Sequence, residues 1–127
     1  MIVVDTSALV AIVLHEPPAP SCAAAMSVAG RVAISAATVA EALIVADRKN
    51  LGEPMRRLIG SLGLEIVDVT STVADRVAAA YSRWGKGVHP ARLNLGDCFA
   101  YALAKERGCP LLFVGDDFRQ TDIESAL

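Results

Sequence analysis

Apolar and polar positions along this chain follow two periods in alternation, short β-branched runs and longer helical stretches. Ile2-Val3-Val4 is a β-branched run that reads as a buried strand. Asp5-Thr6-Ser7 offers a helix cap, and Ala8 to Leu14 continues as a helix until Glu16-Pro17-Pro18-Ala19-Pro20 breaks it. Ser21 to Val28 is a second helical stretch closed by Gly30, and Val32-Ala33-Ile34 is a second strand. Ser35 caps a long helix running to about Asn50, which Gly52 terminates. Glu53-Pro54 opens another, with proline early in the helix where its missing N–H does no harm, and this helix ends near Gly63. Leu64 to Val69 alternates as a third strand, Ser71 to Trp84 is helical, and Gly85 to Leu95 is a loop with two glycines and a proline. Gly96-Asp97 opens a helix through Arg107, stopped by Gly108 and Pro110. Leu111 to Val114 is a fourth strand, and the tail from Gly115 reads as polar and irregular.

Strands thus alternate with helices, and each connection is long enough for a right-handed crossover. The pattern predicts one α/β domain over residues 1–127, with a mostly parallel sheet and helices on both faces. In such sheets ligands bind beyond the carboxyl ends of the strands. That places Asp5, after the first strand, and Asp116-Asp117, after the last, where chemistry is expected.

Composition narrows the picture. At 54% hydrophobic residues the chain is too apolar for disorder. A formal net charge of −2 excludes a protein that holds nucleic acid by bulk attraction, so any such binding needs a local patch, metal ions or a partner. Cys22, Cys98 and Cys109 fit no zinc spacing and read as reduced thiols. The N-terminus has no basic leader, and Ala8 to Leu14 is too short to span a bilayer, so the expectation is a cytoplasmic protein with no membrane segment.

Most of the acidic residues sit among polar neighbours; three do not. Glu41 lies within Ala36-Ala37-Thr38-Val39-Ala40-Glu41-Ala42-Leu43-Ile44-Val45-Ala46, so its helical neighbours are small or apolar. The face is expected to be otherwise buried, and a carboxylate there needs a metal or an ion pair with a core arginine. Asp5 and Asp97 each have two readings, as helix caps worth about 1 kcal/mol or as metal ligands. Taken together, acids after the first strand, in a middle helix, at the start of the last helix and after the last strand point to convergence on one edge. Hard divalent cations favour that oxygen-rich setting, and two such ions can activate water and stabilise a leaving oxygen.

These residues resemble a known family. Val3-Val4-Asp5-Thr6-Ser7-Ala8-Leu9, Glu41 in its apolar helix and Gly96-Asp97-Cys98-Phe99-Ala100-Tyr101-Ala102 resemble PIN-domain ribonucleases, and more closely the VapC toxins of bacterial toxin–antitoxin pairs. Gly85-Lys86-Gly87, His89, Leu93-Asn94-Leu95-Gly96-Asp97-Cys98, Leu111-Leu112-Phe113, Gly115-Asp116-Asp117-Phe118 and Thr121-Asp122-Ile123 extend the likeness over essentially the whole chain. The resemblance implies a three-layer α/β/α sandwich and a Mg²⁺- or Mn²⁺-dependent endoribonuclease that forms no covalent intermediate. It implies Asp5 and Asp97 as direct metal ligands, with Glu41 binding a second ion or orienting the water. It also implies a fourth acid after the last strand, where Asp116 and Asp117 both stand; Asp117, immediately before the phenylalanine, is favoured. Thr6, Ser7 and Asn94 are the expected supports of carboxylates or waters. A cognate VapB-type antitoxin covering the acidic cleft and a homodimer are the implied partners.

Arg83, Lys86, His89 and Arg92 lie in and beside the glycine-rich loop leading to Asp97 and are candidate contacts to an RNA backbone. Arg48, Lys49, Arg56 and Arg57 read as plain helix solvation. Three other readings remain to be separated: a PIN-like RNA-processing nuclease outside any toxin pair, a phosphoacceptor receiver domain and a non-catalytic interaction module. A receiver needs an acid pair after the first strand and a lysine after the last, and this chain has only Asp5 and no lysine beyond Val114. An interaction module would use its acids as caps and ion pairs and would not cut RNA.

Overall fold

A computed structural model describes residues 1–127 and has four strands and six helices. In chain order these are β1 (Ile2–Val4), α1 (Thr6–Val13), α2 (Ala19–Ala29), β2 (Val32–Ser35), α3 (Ala36–Arg48), α4 (Gly52–Ser61), β3 (Glu65–Val67), α5 (Ser71–Trp84), α6 (Leu95–Arg107) and β4 (Leu111–Leu112). The sheet order is β3-β2-β1-β4 and every pairing is parallel. The expected parallel α/β fold is therefore present.

The two-residue period of the strands builds the three layers. Ile2 and Val4, Val32 and Ile34, and Leu112 point to one face, where they pack with Ala8, Leu9, Cys22, Met26, Ala42, Ala46 and Met55 of α1 to α4. Val3, Ala33 and Leu111 point to the other, against Val77, Ala80 and Trp84 of α5 and the alanine-rich face of α6. Small residues on α6 (Ala100, Ala102 and Ala104, all buried) let that helix lie close to the sheet. All three cysteines are free thiols, two of them buried. No helix is long and apolar enough to cross a membrane.

The structure departs from the sequence reading at several edges, each for a local reason. Helix α2 starts at Ala19, taking Pro20 into its first turn, where no intrahelical N–H is required. Gly52 begins α4 instead of ending α3, which stops at Arg48; Asn50, at φ +58, turns the chain between them. Strand β3 is three residues long where six were expected. It is the sheet's outer edge, Ile66 there is exposed, and Glu65 pairs with Arg107 and Arg31, a charged edge that discourages further strand addition. Strand β4 ends at Leu112 because the Val114 N–H is diverted to the Ser7 hydroxyl, 3.0 Å away. The tail is not wholly irregular. Leu111 N–H donates to the Glu124 carbonyl and Ala126 N–H to that of Leu111, so residues 124–126 run beside β4.

Candidate active site

The carboxyl ends of the strands open into a cleft of about 250 Å³ lined by Asp5, Thr6, Glu41, Asp97, Asp117 and Phe118, among others. Asp5 leaves β1 in extended conformation and caps α1. Its Oδ2 accepts from the Ser7 N–H at 3.0 Å and the Ser7 hydroxyl at 2.7 Å. Its Oδ1 is buried with no hydrogen-bond partner at all. The cap reading of Asp5 therefore holds for one oxygen, and the other is left free.

Glu41 crosses from α3, where its Oε1 accepts from the Thr6 hydroxyl at 2.5 Å. The expectation of a fully apolar, buried face around it is wrong. Glu41 is only half-buried and its helical neighbour Ile44 is 54% exposed, because this side of α3 borders the cleft and not the core. Glu41 makes no ion pair with any basic side chain, so the core-arginine reading fails. Asp97 is the third residue of α6, and the cap proper is Asn94. The Asn94 side chain accepts from the Asp97 N–H at 2.8 Å while the Asn94 N–H donates to Asp97 Oδ2 at 3.0 Å, a reciprocal capping box. Thr6, Ser7 and Asn94, the three expected supports, thus each hold one acid: Glu41, Asp5 and Asp97 respectively.

After β4 the structure separates the two candidate acids. Asp117 lines the cleft. The Asp116 side chain is 94% exposed and pairs with Arg119 at 3.2 Å. Gly115, at φ +102, makes the turn that aims them apart, so Asp116 drops out of the site.

Burial and mutual repulsion act on these acids together. Asp5 is pushed up to about 6, chiefly by burial and further by the charge of Glu41, against the lowering effect of the Ser7 hydrogen bonds. Asp97 is pushed up to about 7, again mainly by burial, with Asp5, Asp117 and Glu41 adding repulsion and its bond from the Asn94 backbone opposing. Buried carboxylates with like-charged neighbours and an unpartnered oxygen are short of positive charge. The donor set suits a hard divalent cation. No three acidic, histidine or cysteine groups are closed into ligand geometry on their own. Mg²⁺ asks for less, since it binds through one or two carboxylates and keeps several waters.

The basic candidates divide. Lys86, His89 and Arg92 line one open concavity of the loop, about 510 Å³, whose base is closed by bonds between Lys86 and Leu93 and between Leu93 and Trp84. Arg83 does not join them. It lies over the Trp84 ring at 4.5 Å, pairs with Asp122 at 3.6 Å and faces a separate groove between α5 and α6. His89 is half-buried, its Nδ1 accepting from the Ala91 N–H and its ring edge-on to Trp84, which fixes the loop. The sequence reading missed Gly96 and Phe118 as parts of the site. Gly96 reads there as a helix opener and as part of the resemblance motifs, with no role of its own in the site.

The chain matches the family described as PIN domain over residues 2–124. It is 43% identical over 125 residues to Ribonuclease VapC30 of Mycobacterium tuberculosis, covering 95% of each chain. Among solved structures it is similar to Mycobacterium tuberculosis VapC20, a sarcin-ricin loop cleaving toxin, with a TM-score of 0.77 at 15% identity over 97% of this chain and 96% of that one. It is also similar to a chain of VapBC2 from Rickettsia felis bound to a promoter DNA fragment, with a TM-score of 0.74 at 17% identity over 98% and 96%. At those identities the structural likeness establishes the fold.

Proposed function

This chain belongs to the PIN-domain family and within it to the VapC ribonucleases, and on that premise we propose how its acidic cleft works and what covers it. The activity is that of a ribonuclease toxin of a toxin–antitoxin pair. Asp5, whose Oδ1 is otherwise unpartnered, and Asp97 are the residues that would hold a Mg²⁺ or Mn²⁺ ion. Glu41 and Asp117 would hold a second ion or orient a water. A divalent ion bound there supplies Lewis acidity to the phosphodiester and lowers the pKa of water. The protein's own part is positional: Ser7, Thr6 and Asn94 each hold one carboxylate before substrate arrives. Lys86 and Arg92 neutralise backbone phosphates outside the cleft. Arg83 is committed to Asp122 and takes no such role.

The observation that carries this reading is the gathering of four acids, from four separate segments, around one cleft in which a buried carboxylate oxygen lacks any partner. The test is direct. Purified protein with Mg²⁺ or Mn²⁺ should cleave RNA, EDTA should stop it, and Asp5→Asn should lose cleavage while melting no lower than the parent. Full cleavage by Asp5→Asn would refute the metal role.

The cleft's rim supports a protein partner. Ile44, one helical turn from Glu41 on α3, and Leu95, next to Gly96 at the start of α6, are exposed, at 54% and 61%. Apolar rim around an acidic centre suits an antitoxin segment that lays apolar side chains on the rim and a basic one among the carboxylates. Exposed Val28 and Val88 offer further apolar surface for a homodimer. Light scattering of the isolated chain checks the dimer, and restored cleavage on removal of the antitoxin checks the cover.

A further inference from the structure

Glu41 approaches the first turn of α6 at one position, and that position is Gly96. A Cβ placed there would lie 1.9 Å from Glu41 Oε2, 2.6 Å from its Cδ and 3.0 Å from Oε1. No real Cβ makes such contacts, so any side chain at this position evicts the carboxylate. The backbone of Gly96 is ordinary helix, with no positive φ. Conformational freedom is therefore not what glycine provides here; room is. Glu41 is held in this place by a single hydrogen bond, its Oε1 accepting from the Thr6 hydroxyl at 2.5 Å.

We propose that Gly96 is a positioning residue for the site, a cradle without a side chain that seats the Glu41 carboxylate against the amino end of α6 and so sets its spacing from Asp97. This rests on the metal-dependent reading above. The seat has two walls: Thr6, from the first turn of α1, holds one oxygen, and the bare backbone of Gly96 admits the other. Asp97 is the next residue along, so Glu41 and Asp97 keep a fixed relation only while Gly96 stays bare. The carboxylate also sits at the positive end of the α6 dipole there.

The atom a new Cβ would displace is the far end of a flexible side chain. Gly96→Ala therefore moves Glu41 and leaves the fold alone. Alanine is the better helix former, so Gly96→Ala should melt at the parent's temperature or above it. Mn²⁺ titration by calorimetry, without RNA, should show affinity reduced about tenfold, the usual scale for losing a support of a metal site. Cleavage at saturating RNA should fall by at least the same factor while KM stays within about twofold, because the phosphate-binding loop is untouched. Glu41→Asp shortens the side chain by one methylene and should suffer less from the added Cβ. In the Glu41→Asp background, then, Gly96→Ala should cost at most about twofold in either measurement, a non-additive double-mutant cycle. Parent-like Mn²⁺ affinity in Gly96→Ala would overturn the proposal, as would strictly multiplicative losses in the double variant. A parent that binds Mn²⁺ yet leaves RNA intact would remove the ribonuclease reading while the titration still tested the seat.

Discussion

Asp5→Asn should make the metal-free protein more stable at neutral and alkaline pH, even as it abolishes cleavage. Asp5 is 3% exposed, and its acid is pushed from 3.8 up to about 6. A carboxyl raised in this way weakens the fold wherever it is ionised. The penalty is absent below the unfolded value of about 4, grows as pH rises toward 6 and is complete above that. Two pKa units at about 1.4 kcal/mol each give roughly 3 kcal/mol as the upper scale of the penalty. Asparagine is the neutral isostere; it still accepts both Ser7 bonds through its amide oxygen and caps a helix as well as aspartate does. Urea unfolding in EDTA should therefore show Asp5→Asn more stable than the parent by about 1–3 kcal/mol at pH 8, with the gap closing by about pH 4. Adding Mn²⁺ should reverse the order, since a ligand at a hundred times its Kd stabilises the binding-competent parent by about 2.7 kcal/mol and the variant by much less. An Asp5→Asn protein less stable than the parent in EDTA at pH 8, or a gap that ignores pH, would refute the reasoning.

The other predictions test the supports. Ser7→Ala removes a hydroxyl that donates to Asp5 at 2.7 Å and accepts from Val114 at 3.0 Å; urea unfolding should show a loss of about 2–3 kcal/mol. With its lowering hydrogen bond gone, Asp5 in the metal-free protein should titrate higher still, a shift that an NMR pH titration in EDTA would read. Tyr101→Phe takes the acceptor from Trp84 Nε1–H, at 2.9 Å, and a donor from Asp122; about 1–3 kcal/mol of stability should go, read by fluorescence of the sole tryptophan, with cleavage by the folded fraction unchanged. Lys86→Ala combined with Arg92→Asn, the latter chosen because Arg92 sits at φ +55, should lower RNA affinity. The salt dependence of binding should flatten as well, by about 0.7 in log–log slope for each phosphate no longer neutralised.

How much of this was legible without coordinates depends on whether each signal was local. The layers were legible because strand residues alternate between two cores, and Ile2-Val3-Val4 already carries both faces. The topology rule for parallel sheets placed Asp5 and the acids after β4 at the strand ends, while Glu41 and Asp97 were joined to them by the set of acids taken together and by the family resemblance. The environment of Glu41 was not legible. Apolar neighbours at helical spacing suggest a core, but Ile44, one turn from Glu41, is exposed, and sequence cannot tell an apolar surface from an apolar interior. The choice between Asp116 and Asp117 turned on one residue of register after a strand, which the left-handed turn at Gly115 decides. Arg83 was placed with the loop by proximity in sequence, whereas its partner, Asp122, lies 39 positions away. Gly96 was hidden for the same reason: its role is a contact with a side chain from another helix.

The site's construction explains why its sequence signals come in adjacent clusters. Asp5 and Asp97, both pushed up by burial, weaken the fold when charged without a compensating cation, and three of the four acids are held by a support close in sequence to a site acid: Ser7 two positions after Asp5, Asn94 three positions before Asp97, and Thr6 next to Asp5 but reaching to Glu41. Two of those supports are helix-capping interactions, which the backbone would need in any case. The capping function fixes the acid's direction, and the remaining oxygen is left for the cation. A helix start after a strand is thus an economical place for a metal ligand, because the geometry that terminates one element and begins the next already orients the carboxylate. Glu41 has no such local device, being mid-helix, and so needs contacts from two other segments, the Thr6 hydroxyl and the bare backbone at Gly96. It should accordingly be the acid whose position is most sensitive to substitutions elsewhere in the chain.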